Sequence, residues 1–410
     1  MSNSVPEGWK NIKFGDIAEI HKGLTYATTN YSDKENGFPF ITLKCIKKNG
    51  GFSKKGLKYY DGKYKPQHEV VKGDVVFANT DLTRDGDVVG SPLIVPYISR
   101  KKPNLISMDL SKVIPKRGTH KEFIYYWLTM PEVKRYMINF SAGSTVLHLN
   151  TSSVPNIPIL APPLPEQKKI AAILTSVDTV IEKTQAQIDK LKDLKTGMMQ
   201  ELLTKGIGHT EFKDSPVGRI PVEWDVVSFQ DIATCKPKKF NPSKDDFIYN
   251  CVELEHLSQE TGQIINTTPT NNVVSIKNIF NVGDILFGKL RPYLKKYALP
   301  DFSGVCSSEI WVFKPKDGID NYFLYYNVQS ERFIESANKS CGTKMPRAEL
   351  STVMDTVIVK PPTEEQIKIG KIIKTIDDSL MTKQDKLSSL RNIKKALMQD
   401  LLTGKVRVKV

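Results

Sequence analysis

Two sets of polar side chains are grouped closely enough along the chain to act together. The first set is Lys22, Thr25, Thr28, Thr29 and Asn30, then Asn79, Thr80, Asp81, Thr83 and Arg84, then Ser144, Thr145 and His148. The second is Lys236, Lys238, Lys239 and Asn241, then Lys289, Arg291, Tyr293, Lys295 and Lys296, then Thr343, Lys344 and Arg347. Cations, hydroxyls, amides and an imidazole are the groups that bond phosphate oxygens and the donor and acceptor edges of bases. Any one of these residues alone also reads as part of a solvated turn. Their joint occurrence says more: equivalent loops stay polar or basic while their identities change, as suits two units of one scaffold that recognise different sequences.

The bulk charge agrees with that chemistry. Among 410 residues, 59 Lys and Arg outnumber 45 Asp and Glu, a formal net charge of +14. Such an excess favours a polyanionic partner, of which nucleic acid is the commonest for a cytoplasmic protein. The chain contains no NPPY- or DPPY-like tetrapeptide, no GxxxxGK[ST] phosphate loop, no GxSxG elbow and no HExxH pair, which counts against a catalytic role. Gly86 to Gly90 reads as a surface turn, not a dinucleotide loop. Cys45, Cys235, Cys251, Cys306 and Cys341 are odd in number and widely spaced, so they read as structural thiols. The six histidines show no ligand spacing, and no metal site is expected. No apolar run is long enough to span a bilayer and no signal peptide opens the chain, so the expectation is a cytoplasmic protein away from the membrane.

The elements that must position these loops are repeated. Pro162 to Thr204 recurs as Pro361 to Thr403 at a constant offset of 199 residues, aligning Glu166 with Glu365, Gln167 with Gln366 and Asp178 with Asp377. Each copy reads as a long helix, with prolines before it and an acidic residue in its first turn, where the helix dipole favours negative charge. Ile170, Ile173, Val177, Ile181, Ile188, Leu191, Met198 and Leu202 step by threes and fours, as do their counterparts from Ile369 to Leu401, which predicts a coiled-coil seam. Thr184 with Lys383 and Lys195 with Lys394 interrupt it with polar groups that fix register. From Glu166 to Leu203 the helix would be about 57 Å long. A solitary helix of that length with one apolar stripe needs a partner, and the other copy supplies it. The predicted pairing buries Ile173, Val177, Ile181 and Leu191 against Ile372, Ile376, Leu380 and Leu390.

Ahead of each helix the sequence alternates short β-like stretches with turns, and the second half repeats the first: Trp9 with Trp224, Gly73-Asp74-Val75-Val76-Phe77 with Gly283-Asp284-Ile285-Leu286-Phe287, and an aromatic helix over Glu122 to Met137 with another over Asn321 to Ile334. The fold class is therefore α+β. Two similar mixed domains, 1–160 and 208–359, alternate with helical segments, 161–207 and 360–410, in an internal pseudo-two-fold repeat.

GWKNIKFGDIAEI with EWDVVSFQDIA, GDVVFAN with GDILFGKLRPYL, and above all PPLPEQKKIAAILTSVDTVIEKTQAQI with PPTEEQIKIGKIIKTIDD make the chain resemble, over essentially its whole length, the DNA-specificity subunits of type I restriction-modification enzymes. The resemblance implies two target-recognition domains, each reading one half of a bipartite asymmetric site on double-stranded DNA. It implies helices that pair as an antiparallel coiled coil and dock two methyltransferase subunits, which bind S-adenosylmethionine and methylate adenine, and motor-nuclease subunits that use ATP and Mg. This chain itself would bind no cofactor. On that picture Lys289, Arg291, Arg347 and Arg84 are the leading candidates for phosphate or base-edge contacts. A protein-binding coiled-coil scaffold and a divergent DNA-modifying enzyme are the competing readings.

Overall fold

A computed structural model describes residues 5–34, 36–48, 50–83, 85–99, 102–244, 247–272, 274–339 and 345–409. Arg84, Cys341, Thr343 and Lys344 lie outside them. The chain packs as two compact units, residues 1–184 with 386–410, and residues 185–385. Each unit therefore holds one globular domain and a stretch of both long helices, Leu164–Lys205 and Thr363–Leu402.

In the first unit the opening strand Lys10–Lys13 pairs antiparallel with Pro158–Ala161, the strand that leads into the long helix. The main sheet has the order Ala18–Lys22, Leu110–Pro115, Val75–Ala78, Pro92–Ile94, all antiparallel. A second sheet carries Lys58–Tyr60, Phe38–Ile41, Asn104–Ile106 and Glu69–Val70, with one parallel pairing, Phe40 to Leu105. Val75, Val76, Phe77 and Ala78 are all buried because this strand is covered on both faces. Phe77 joins Trp9, Phe14, Phe123 and Trp127 in one core, and Val76 joins Ile41 and Ile106 in another.

The second unit repeats the plan. Its main sheet runs Ala233–Thr234, Ile310–Pro315, Ile285–Gly288, Tyr297–Ala298. Its second sheet again holds one parallel pairing, Cys251 to Val305. Trp224, Phe229, Phe287, Phe313, Phe323 and Phe333 fill the core.

Each aromatic helix expected as a single piece is two. The first breaks into Lys121–Leu128 and Pro131–Asn139. Pro131 supplies no N–H and pushes Met130 into extended backbone (ψ 137°). The second breaks into Asn321–Gln329 and Glu331–Asn338 without a proline: extended Ser330 caps the new helix by accepting the N–H of Phe333 at 3.3 Å. Both long helices stop just before a glycine with left-handed backbone, Gly206 (φ 70°) and Gly404 (φ 73°).

The expected helix seam needs correcting at its start. Ile170 and Leu174 in one helix and Ile369 and Ile373 in the other are buried in the first turns and face their own unit's domain core. Ile372 is consequently 37% exposed and Ile173 packs at the edge of the domain core. The threes and fours then continue from Val177 and Ile376. Leu380 is buried, whereas Val177, Ile181, Leu191, Ile376 and Leu390 are half-buried. Thr184, Ile188 and Leu387 are buried too, as are Leu202 and Leu401 at the C-terminal ends of the stripe.

Candidate nucleic-acid interface

Within each unit, most of the polar clusters meet at one end of the main sheet. In the first unit, Asn79 follows the strand Val75–Ala78 and its backbone ties three segments together: its N–H donates to the Asp109 carbonyl (2.7 Å) and its carbonyl accepts the N–H of Leu149 (2.8 Å). Thr80 and Asp81 then pair with His148 and Leu147. Lys22 flanks the same end from the other side, opposite Ser111. Ser144, Thr145 and His148 are exposed on the small hairpin formed by Ser141–Ala142 and Leu147–Leu149.

Three of these residues, Asn79, Thr80 and Asp81, are internal, contrary to the sequence reading. The Asn79 side chain is buried, donating to the Met108 carbonyl at 3.2 Å. Asp81 is fully buried and organises the following loop, accepting from the N–H groups of Val88, Val89 and Thr83 and from the Thr83 hydroxyl (2.8 Å). Burial alone would raise its carboxyl pKa, but these donors hold it below the ordinary value. Thr83 thus spends its hydroxyl inside the loop. Thr28 and Asn30 lie farther off, on a turn beside the second sheet, where Tyr31 bridges to Tyr60.

The second unit builds the same junction with different side chains. Lys289 N–H donates to the Glu309 carbonyl (3.0 Å), the Lys289 carbonyl accepts from Ala348 (2.8 Å), and Leu290 bridges to Arg347. By these bonds Lys289 stands where Asn79 stands, Arg291 where Asp81 does, and Arg347 where His148 does. Lys239 reaches the corner through Asn278, whose Oδ1 accepts its ammonium at 2.6 Å, and with Lys289 it flanks the Cys235 thiol. Burial pushes that thiol up to about 11, against the pull of the two lysines. Exposed Tyr293 tips a tight turn between Arg291 (φ 52°) and Lys295 (φ 49°). Glu260 (φ 61°), whose N–H donates to the Lys295 carbonyl, completes the set of non-glycine residues with left-handed backbone among the described residues. All three sit in this corner, and such strain is held only where surroundings over-determine it, commonly at binding sites. Lys296 serves the scaffold, donating to the Leu254 carbonyl at 2.7 Å. Lys238 is exposed, and its carbonyl accepts from Ile279.

The family model described as the type I restriction modification DNA specificity domain matches residues 6–193 and again 221–391. The chain belongs to this family. Its function is DNA sequence recognition, as a specificity subunit of a type I restriction-modification system. It is 27% identical over 426 residues to the type I restriction enzyme MjaVIII specificity subunit of Methanocaldococcus jannaschii, covering 99% of this chain and 94% of that protein. It is 21% identical to the EcoDI specificity subunit of Escherichia coli, covering 92% and 82%. Its fold is similar to that of the type I restriction-modification S subunit from M. genitalium, with a TM-score of 0.63 at 14% identity over 98% of each chain.

The repeated sequence of this specificity subunit holds each recognition domain on the helices through a latch. In the first unit, Trp9 Nε1 donates to Glu166 Oε2 (3.0 Å), while Arg407 grips both oxygens (2.8 and 2.9 Å). In the second, Trp224 Nε1 donates to Glu365 Oε2 (2.9 Å), and Glu365 Oε1 lies 2.9 Å from both the Ile207 nitrogen and His209 Nε2. The next residue bridges a domain and the turn before its helix: Gln167 Oε1 accepts from the His120 N–H and its Nε2 donates to the Pro162 carbonyl. Gln366 does the same with Asp320 and Pro361.

Two of the polar interruptions in the seam, Lys195 and Lys394, form ion pairs. Lys394 Nζ lies 2.6 Å from Asp178 in the first unit, and Lys195 Nζ 2.7 Å from Asp377 in the second. A tyrosine from each aromatic helix completes the group: Tyr126 donates to Asp178 (2.9 Å) and Tyr326 to Asp377 (3.0 Å), with each lysine also over its tyrosine ring. In each unit these contacts fix the two helix stretches antiparallel, since position 166 meets 407 while 178 meets 394, and 365 meets 207 while 377 meets 195. Sequence reading found the lysines and aspartates but not that they meet, because pairing depends on where two distant helices touch.

Among the described residues no helix is long and apolar enough to cross a membrane.

Proposed function

We propose that the two recognition domains read the two halves of a bipartite, asymmetric site on double-stranded DNA, one half each. The long helices act as spacer and dock two methyltransferase subunits, which use S-adenosylmethionine to methylate adenine; motor-nuclease subunits with ATP and Mg join for cleavage, in the cytoplasm. The observation that carries this reading is the repeated backbone junction with exchanged side chains: Asn79 and Asp81 turned inward and His148 exposed in one domain, half-buried Lys289 and exposed Arg291 and Arg347 in the other. A scaffold that keeps its hydrogen bonds and changes its surface is built to recognise two sequences. Leu194 and Ile393, exposed at equivalent positions of the two helices, support docking of a protein there. Mapping methylated adenines in DNA from the source cell with and without this chain tests it. A two-part motif that vanishes without the chain is expected; an unchanged pattern refutes the reading.

A further inference from the structure

In the basic corner of the second domain one cation has an acidic partner built in. Arg347 Nη2 lies 3.1 Å from Glu309 Oε1, and the Arg347 side chain remains 59% exposed. Both residues are anchored to the same junction: the Glu309 carbonyl accepts from Lys289, Arg347 bridges to Leu290, and the neighbours of Arg347 bond on either side, Pro346 to Arg291 and Ala348 to Lys289. Glu309 Oε2 is buried without a hydrogen-bond partner among the described residues, where the guanidinium is the carboxylate's one hydrogen-bonding partner. Holding a carboxylate in such a place is costly unless the cation stays beside it.

A guanidinium has five N–H donors in a fork, and this contact uses one. A phosphate bound by the remaining fork would stand beside the Glu309 carboxylate and be repelled. A guanine edge offers two neutral acceptors, O6 and N7, at a spacing the fork matches. Among the described residues no ion pair neutralises Lys289 or Arg291, and their undiminished charge suits phosphate. In the first domain the corresponding positions hold His148 and Asp109, whose Oδ2 already accepts the Ser107 hydroxyl at 3.3 Å, so no buttressed arginine exists there.

We propose that Arg347 reads a guanine edge within the half-site of the second recognition domain, and that Glu309 is the positioning residue that aims it. This rests on the reading of the two domains given above. The test selects bound sequences from a randomised duplex library with the full chain assembled with its methyltransferase partners, comparing wild type, Arg347→Lys and Glu309→Gln. Lysine keeps the charge and loses the fork; glutamine keeps the shape and loses the charge. The expected result is a two-part motif in which both variants lose preference at one G·C pair of one half, on the order of ten- to hundredfold, with the other half unchanged. If Arg347→Lys returns the wild-type motif at wild-type affinity, or if both variants keep the motif and weaken all sequences alike, the inference is overturned while the two-domain reading stands. If the wild-type complex enriches no motif, that reading fails and takes the inference with it.

Discussion

At the scale of the residue, the lysine–aspartate–tyrosine groups show how polar side chains specify a helix pair. Lys195 and Asp377 are 15% and 28% exposed, so neither charge is well hydrated if the other is removed. Asp377→Ala should destabilise the protein by about 1–3 kcal/mol, because Lys195 loses its counter-charge and the Tyr326 hydroxyl its acceptor. The double variant Lys195→Met, Asp377→Leu should cost less than the sum of the single changes, as thermal unfolding of the three proteins would show. Glu365 gives a pH signature. Burial pushes its carboxyl pKa up, but the Ile207 N–H, the Trp224 indole and His209 outweigh that and hold it below the ordinary 4.5. A depressed carboxyl stabilises the fold above the ordinary value and loses that contribution as pH falls through the folded one. Glu365→Gln should therefore be less stable than wild type at neutral pH, with the gap closing below about pH 4.5. A gap independent of pH would remove this carboxylate as the cause.

At the scale of the element, each domain is joined to its helix by the side chains of the repeated Glu-Gln step. Gln366→Ala would strand the Asp320 N–H and the Pro361 carbonyl, a loss of about 2 kcal/mol, and Gln167→Ala should mirror it at His120 and Pro162. Faster amide hydrogen exchange at Asp320, before any change in the middle of the helices, is the expected sign. Unchanged exchange would mean that the latch does not carry the domain. The repeat of this step was plain in the sequence, as was the helical pattern around it. The break in each aromatic helix was not read: the sequence pattern ran one helix straight through Pro131, although that proline is a local breaking signal, and the second break depends on Ser330 finding a cap. The heptad stripe likewise ran one turn too far toward the N-termini, since nothing in the spacing of Ile173 or Ile372 says that the neighbouring Leu174 and Ile373 face a domain core.

At the scale of the whole molecule, a net charge of +14 makes DNA binding depend steeply on salt. Replacing both Lys289 and Arg291 with alanine should weaken binding to cognate and unrelated duplexes alike. Each phosphate contact contributes about 0.9 to the slope of log affinity against log salt, so the double variant should flatten it by nearly two. Anisotropy titrations of the assembled complex at several salt concentrations measure this; an unaltered slope would take these two residues off the phosphate surface.

The sequence by itself determined the duplicated plan, the fold class, the long helices and the family, because these depend on local periodicity and on residues that recur at fixed offsets. It also placed the polar loops. Only the tertiary structure decided which of their side chains face outward. Asn79 and Thr83 have the composition of a contact surface, yet their polar groups serve the scaffold: the buried Asn79 amide bonds the Met108 carbonyl, and Thr83 gives its hydroxyl to Asp81, which folds inward and gathers donors around it. Glu309 went unnoticed because a lone glutamate in the turn before a strand carries no local signal. It acquires a role only when backbone hydrogen bonds bring residues 289, 309 and 347 to one corner, and proximity between segments so far apart in the chain is set by packing of the sheets.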